Sequence, residues 1–451
     1  MSGWTAARTD VLDALQAQHA ALLEALDPGR AGPLLARALG EDPATPCVVT
    51  DAKYEPGRPA TVLYRFGAGL VHATVPPPGQ VAPGDLLPNG MGIGRFPFDP
   101  GLPTLSRVLA PGVLDSALRH ERDHGRGRGV GHTSGGQAKV RLLRYRPGRR
   151  ATLLVTMPMG AGTVQTYVAK VYHDRAKAAA VASEGRALQA QPPPAPLLLA
   201  PVVAHLPDLA VVVQGHLPGQ GLVVDLRTPD VVGHLEAALA RAAQGLAAFH
   251  LACVPSGRPR PLDRELRRFV ARATAIRSVD PESGEPLLAL AHELLRRQPA
   301  PGPVSLVHGD CRPDQFLLDE DRVALLDLDH CGIAEPAHDV GNLVSSLRQA
   351  AVRATQQGGT RKGGTRDDVA GRAAEALGEA FVTAYLASAR PSASGGTGEL
   401  VPRIRYYVGV SLLRKALRAW ARSPAGSLVE PYVAEAQRAV TDLQGSPRGR
   451  R

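Results

Sequence analysis

Cysteine is scarce: the 451 residues contain four, Cys47, Cys253, Cys311 and Cys331, and no C-x-x-C pair. Such sparse, scattered use points to free thiols in a reducing cytoplasm. Aromatics are also few, 4% of the chain. No basic stretch interleaves them and no zinc-finger spacing occurs, which argues against a nucleic-acid partner. No run approaches the ~18 consecutive apolar residues of a membrane-spanning helix. The first residues lack the basic-then-apolar pattern of a secretory leader. The expectation is a cytoplasmic protein with no membrane partner.

What is present is ordinary for a globular chain: 44% apolar and 21% charged residues, with length for two or three domains. Lys and Arg number 52 against 42 Asp and Glu, a formal net charge of +10. A basic balance favours anionic ligands such as nucleotides and disfavours polycationic ones.

The most informative stretch is Leu306-Val-His-Gly-Asp-Cys-Arg-Pro-Asp-Gln-Phe-Leu-Leu318, followed by Val323-Ala-Leu-Leu-Asp-Leu-Asp329. It reads as a strand, a tight polar turn and two apolar runs separated by Asp319, Glu320 and Asp321. That pattern predicts a β-hairpin with carboxylates at its rim. Asp310 falls on the first turn. Asp327 lies inside a Leu-rich run, where a carboxylate is costly to desolvate unless a cation or donor compensates it. Two carboxylates beside the amide oxygen of Gln315 suit a hard cation of the kind held against phosphates. Cys311 follows Asp310 directly but has no base of its own, so it is not read as a nucleophile.

In order and spacing these residues resemble the catalytic segment of the aminoglycoside/choline kinase-like phosphotransferases: His308-Gly-Asp310, an amide five positions on, then an aspartate in an apolar strand. The resemblance implies Asp310 as catalytic base, Gln315 and Asp327 as ligands of Mg²⁺, and His308 as a scaffold of the loop. The run Ala334 to Asn342 resembles the family's D-P-x-x-D-L, with Glu335 in place of the first Asp and Asp339 matching the second. Gln315 departs from the usual Asn. It keeps the carbonyl oxygen on a longer side chain, which implies a metal site of shifted geometry or weakened catalysis.

Upstream, the spacing of Val11, Leu12, Leu15, Leu22, Leu23 and Leu26 predicts a helix over 4–26, and a short one is expected over 33–39. Cys47 to Tyr64 reads as two strands around Pro56-Gly57. That hairpin recurs: Tyr54-Glu-Pro-Gly-Arg-Pro-Ala-Thr61 and Tyr145-Arg-Pro-Gly-Arg-Arg-Ala-Thr152 agree at six of eight positions at an offset of 91. An internal repeat is the simplest reading. The second copy runs on into Gln165 to Tyr172, a strand carrying Lys170, and a helix over about 176–190 carrying Glu184. The first copy has no matching lysine, so it is read as an accessory sheet. Gly90 to Gly94 is read as a loop, and the charged, glycine-rich stretch after Arg119 as a linker with a boundary near 130.

The strand-strand-strand-helix order resembles a kinase N-lobe. That implies Lys170 on the nucleotide's α/β-phosphates and Glu184 orienting it. It also implies the Arg146 to Arg150 turn in place of a glycine-rich loop, and a hinge over Val213, Gln214 and His216 that reads the adenine edge. Further helices are expected at 231–250, 262–276, 285–297, 367–388, 399–422 and 427–443, and one from 337 that breaks near 356. His250 is read as a packing residue at a helix end. Arg403, Arg405, Arg414, Lys415, Arg418 and Arg422 make one helix strongly basic; they are read as a solvated face, with contact to an anionic substrate group as the alternative.

The expected fold is α+β, a bilobal protein-kinase-like fold: an N-terminal α/β extension (1–130), a β-rich N-lobe (131–215) and a mainly helical C-lobe (216–451). The expected function is ATP-dependent phosphorylation of a hydroxyl on a small molecule of aminoglycoside, sugar or amino-alcohol type, with Mg²⁺ and with GTP as the alternative donor. The second reading is a catalytically weakened, nucleotide-binding scaffold.

Overall fold

Both copies of the Tyr-x-Pro-Gly hairpin fold as antiparallel meanders. The computed structural model describes residues 2–125, 136–160, 162–227, 232–252, 257–357, 366–389, 397–424 and 426–441. The chain divides into two compact units, the first holding residues 1–186, 201–216 and 421–423 and the second the remainder.

In the first unit, helices α1 (Ser2–Leu26) and α2 (Pro28–Leu39) precede strands β1 (Cys47–Lys53), β2 (Ala60–Phe66), β3 (Gly69–Val75), β4 (Asp85–Leu86) and β5 (Gly92–Arg95). Helix α2 is delimited by its sequence. The Asp27 carboxylate accepts the Gly29 N–H at 2.8 Å, and Gly40 closes the helix in a left-handed conformation. The five strands form one antiparallel sheet in the order β1-β2-β3-β5-β4. Helices α3 (Leu105–Val108) and α4 (Val113–Gly125) lead to β6 (Lys139–Arg146), β7 (Arg150–Gly160), β8 (Thr163–Tyr172) and helix α5 (Arg175–Ala190). Strand β9 (Leu197–Leu199) belongs to the second unit, while β10 (Val202–Leu206) and β11 (Val211–Gly215) complete a sheet ordered β10-β11-β8-β7-β6.

The repeat extends to its turns. Gly57 and Gly148 hold φ of 78° and 65°, a region that L side chains avoid. In each turn the glycine N–H is fixed by a side chain from outside the hairpin, Gln18 Oε1 at 3.0 Å for Gly57 and Asp99 Oδ2 at 2.8 Å for Gly148. Asp99 also accepts the Tyr145 hydroxyl at 2.8 Å, and that hydroxyl lies 3.2 Å from His72 Nδ1. Leu63 of β2, with Leu105, Leu114 and Leu118, packs in one apolar cluster with Leu153, Val155 and Val211 of the second sheet. The expected boundary near 130 lies outside the described residues, and the core spans both sides of it.

The glycine-rich segment Gly90–Gly94, expected as a loop, contributes β5 instead. Glycine carries no strand propensity, so the sequence pattern hid it. It is there for close approach: a Cβ on Gly94 would collide with the His72 ring.

The second unit continues with β12 (Gln220–Gly221), α6 (Val232–His250), α7 (Leu262–Val279), α8 (Pro281–Arg296), β13 (Ser305–Val307), β14 (Phe316–Asp319), β15 (Arg322–Leu325), β16 (Gly332–Ala334), α9 (Ala337–Gln357), α10 (Arg366–Ser388), α11 (Thr397–Arg422) and α12 (Val429–Thr441). The predicted apolar stripe of α6, Leu235, Leu239, Ala242, Ala243, Leu246 and Phe249, is buried throughout. Asp280 caps α8 through the Ser283 N–H at 3.1 Å and accepts the indole N–H of the buried Trp420 at 2.7 Å. The glycine-rich stretch 358–365 and the tail from 442 lie outside the described residues. Among the described residues, no helix is long and apolar enough to cross a membrane.

Candidate active site

The segment around Asp310 folds as two small β elements. Strands β14 and β15 form the expected antiparallel hairpin, turning at Glu320 and Asp321 and pairing Phe316 with Leu325. Strand β13 is not part of it; Ser305–Val307 pairs antiparallel with β16. Asp310 stands between β13 and a single 3-10 turn, Pro313–Gln315. Asp327 was expected inside an apolar strand. The strand ends at Leu325, and Asp327 adopts a left-handed conformation (φ 60°, ψ 55°) at the head of a second 3-10 turn, Leu328–His330. The turn keeps its carboxylate half-buried instead of enclosed among leucines. Short polar side chains are the ones that tolerate this conformation, at about 1–2 kcal/mol. The Leu326 N–H donates to the Gln315 carbonyl oxygen at 2.8 Å. Gln315 and Asp327 therefore share the open end of the hairpin, away from its acidic turn.

His308 joins the two loops. Its Nδ1 accepts the Asp310 N–H at 3.3 Å, so the proton sits on Nε2, which donates to the Leu326 carbonyl oxygen at 2.7 Å. One fully buried imidazole thus couples the Asp310 backbone to the residue preceding Asp327.

Asp339, at the start of α9, anchors this loop from beneath. Its carboxylate accepts the His308 N–H at 2.5 Å and the Gly309 N–H at 2.9 Å. His250 Nε2 and His338 Nδ1 approach it at 3.2 and 3.3 Å. Burial alone would raise its pKa, but the hydrogen bonds from the two histidines hold it well below the ordinary carboxylate value. His250, expected only to pack, also places Nδ1 2.7 Å from the Tyr385 hydroxyl. Glu335 takes the place of the family's first Asp. It accepts the Gly302 N–H at 3.1 Å and pairs with Arg403 at 2.8 Å, fastening α11 to the end of β16.

Gly309 is required at its position. Its φ is 78°, and a Cβ there would strike the Arg260 guanidinium and the His330 carbonyl oxygen. Gly309→Ala is expected to cost about 2–4 kcal/mol, combining ~1–2 for the left-handed conformation with ~1–3 for overpacking. The check is a lower urea midpoint at unchanged m-value.

Around Asp310 the charges are mostly positive. Arg312 Nε lies 3.6 Å from one carboxylate oxygen and an Arg418 terminal nitrogen 3.5 Å from the other. Burial pushes the Asp310 pKa up, and Arg312 and Arg418 pull it down further, leaving it below the ordinary value. The group is therefore ionised at neutral pH. Its Oδ1 is enclosed without accepting a hydrogen bond. Cys311 is fully buried, and burial, reinforced by Asp339 and Asp310, raises its thiol pKa well above the usual range. The thiol stays protonated and is no nucleophile.

The basic face of α11 is not simply solvated, as the sequence pattern suggested. Arg414 and Lys415 are buried. Arg414 is paired with Glu265 at 2.6 Å, and Lys415 Nζ lies 3.1 Å from Ser346 Oγ and 3.4 Å from Asn342 Oδ1. Periodicity could not show this, because the partners come from α7 and α9. Arg312 was legible only as a neighbour of Asp310, and nothing in the spacing tied Arg418 to that residue.

The remaining expected site residues belong to the first unit. Lys170 is buried in β8, opposite Thr152 of β7 and Val212 of β11. Glu184 is half-buried on α5. Val213 and Gln214 lie within the ladder between β10 and β8, while His216, just past β11, donates its N–H to the Thr166 carbonyl oxygen at 3.4 Å. In the second unit the hard donors for a cation are the Gln315 amide oxygen and the Asp327 carboxylate. Among the described residues no group of three or more His, Cys, Asp or Glu is arranged to hold a metal ion. This donor set fits Mg²⁺, which takes one or two protein ligands and fills its shell with phosphate oxygens and water.

The model of the phosphotransferase enzyme family (APH) matches residues 159–389, slightly more than half of the chain. No curated protein matches the sequence. Among solved structures, the chain is similar to a choline kinase from Cryptosporidium parvum Iowa II, at 11% identity, covering 73% of this chain and 96% of that one with a TM-score of 0.51. It is also similar to a macrolide 2'-phosphotransferase from Brachybacterium faecium, at 16% identity over 75% of this chain and 100% of that one, TM-score 0.43. The likeness to the choline kinase shows a mixed α+β fold of the protein-kinase-like kind. The chain belongs to the phosphotransferase enzyme family.

Proposed function

We propose that this protein transfers the γ-phosphoryl group of ATP to a hydroxyl of a small molecule. The observation that carries the reading is Asp310: an ionised carboxylate, nearly enclosed, on a loop fixed at both ends, with one oxygen that accepts no hydrogen bond. An acceptor O–H would supply the missing donor. Asp310 orients the hydroxyl and takes its proton as the acceptor oxygen bonds to the γ-phosphorus and the bond from that phosphorus to the bridging oxygen of ADP breaks. His308 and Asp339 hold that loop in register, so the orientation precedes binding.

Gln315 and Asp327 are the residues to hold Mg²⁺, which when bound neutralises charge on the β- and γ-phosphates. Lys170 serves the non-transferred phosphates, with Glu184 orienting it and the segment Val213, Gln214 and His216 facing the base; GTP is the alternative donor. Residues 131–215 serve as the nucleotide lobe, 216–451 as the acceptor lobe, and 1–130 as an accessory α/β extension. A cytoplasmic setting fits the free thiols of Cys47, Cys311 and Cys331.

The test is a thermal-shift titration with ATP, with and without Mg²⁺, on wild type and Asp327→Ala. A ligand at ~100 times its dissociation constant adds about 2.7 kcal/mol of stability. Wild type is expected to gain stability from Mg·ATP, and Asp327→Ala to lose the Mg²⁺-dependent part. If ATP, GTP and Mg²⁺ all leave the transition unmoved, the reading fails. Nucleotide binding without turnover would favour the weakened scaffold that Gln315 suggests.

A further inference from the structure

Two guanidinium groups converge on one carboxylate at Asp310, and neither is satisfied by it. Arg418 approaches with a single nitrogen at 3.5 Å and Arg312 with Nε at 3.6 Å, both beyond a normal N–H···O separation. Arg312 Nε is buried with no hydrogen-bond acceptor. Its other end reaches Asp314 at 3.3 Å, and Asp314 is itself largely exposed. The Arg418 side chain is half-exposed, leaving its remaining donors open to a ligand. Behind them stand the buried Arg414 and Lys415. Glu265 offsets Arg414, and Lys415, whose pKa burial pulls well below the ordinary lysine value, lies against Asn342 and Ser346. The acceptor-orienting carboxylate is therefore faced by two guanidinium groups, Arg312 and Arg418, each at 3.5 Å or more.

We infer that the acceptor is itself anionic: a small hydroxy compound whose carboxylate or phosphate lies a few bonds from the reacting hydroxyl and is held by Arg418 and Arg312. This rests on the phosphotransfer reading and specifies its acceptor. A planar guanidinium beside Asp310 matches a carboxylate or phosphate with two parallel hydrogen bonds. It repels an ammonium or polyamine brought to the same place. One ligand thereby satisfies both demands of the site, its hydroxyl on Asp310 Oδ1 and its anion on the unsatisfied arginine donors.

The experiment saturates the full-length protein with Mg·AMP-PNP and measures calorimetric binding of glycerate, glycerol 3-phosphate, glycerol and choline. At least one of the two anions is expected to bind about ten- to hundredfold tighter than glycerol, the value of one charge-assisted hydrogen-bonded pair, with choline weakest. The order of the two anions distinguishes a carboxylate from a phosphate site. Arg418→Gln is expected to abolish the preference and Arg418→Lys to keep part of it, each with an unchanged melting temperature, as a half-exposed side chain allows. Glycerol or choline binding as tightly as both anions overturns the inference, as does failure of both anions to bind. So does an Arg418→Gln variant that binds Mg·AMP-PNP more weakly and the anions equally well, since the arginine would then serve the nucleotide. If Mg·AMP-PNP does not bind wild type at all, the phosphotransfer reading falls first, and that is seen before any acceptor is added.

Discussion

Asp310→Asn is expected to lower kcat by about 10²–10⁴-fold while leaving nucleotide affinity unchanged. The amide has nearly the shape of the carboxylate but cannot take a proton, and it no longer balances Arg312 and Arg418 at 3.6 and 3.5 Å. Because the wild-type pKa is already held below the ordinary value, the carboxylate form persists through the neutral range. ADP release measured in a coupled assay, beside nucleotide binding on the same preparation, separates loss of chemistry from loss of fold. Full turnover in Asp310→Asn would remove Asp310 from the mechanism.

Asp339→Ala is expected to be the most destabilising single change at the site, about 3–5 kcal/mol by urea unfolding. It removes the acceptor of the His308 and Gly309 N–H groups and leaves His250 and His338 without their common partner. The same carboxylate gives a pH signature. Its folded-state pKa lies well below the usual 3.8. Its contribution is therefore fully present above that unfolded-state value and is lost as pH falls from there toward the folded-state pKa. Wild type should lose stability steeply below the ordinary carboxylate range, and Asp339→Ala should lack that share of the slope. An acid limb identical in the two proteins would show that Asp339 does not act as the charged anchor.

Much of this was legible in the chain. The apolar stripe from Leu235 to Phe249 specified α6 because burial imposes the helical period, and Phe316 to Leu325 specified a hairpin because two apolar runs flank an acidic turn. The hairpin repeat at Tyr54 and Tyr145 gave the shared meander through its Pro-Gly turns. What stayed hidden depends on partners distant in sequence. Asp327 is polar within a leucine run, so periodicity placed it in the strand, and only the paired backbone of Gln315 and Leu326 shows where the strand stops. Arg414 and Lys415 look like a solvated face on their own helix, because Glu265 and Ser346 lie 149 and 69 residues away. Strand β5 was invisible because its two glycines carry no pattern, although the His72 ring requires one of them.

The tie from Asp99 to Gly148 and Tyr145 has a consequence for truncation. The first copy and the helices after it form one wall of the second copy's apolar interior, with Leu63, Leu105 and Leu118 against Leu153 and Val155. Trimming the chain to the matched residues 159–389 would remove that wall together with β6, the Gly148 turn and all but the last two residues of β7. Residues 1–158 therefore supply two strands of the second sheet as well as part of its covering, and the matched segment alone lacks both.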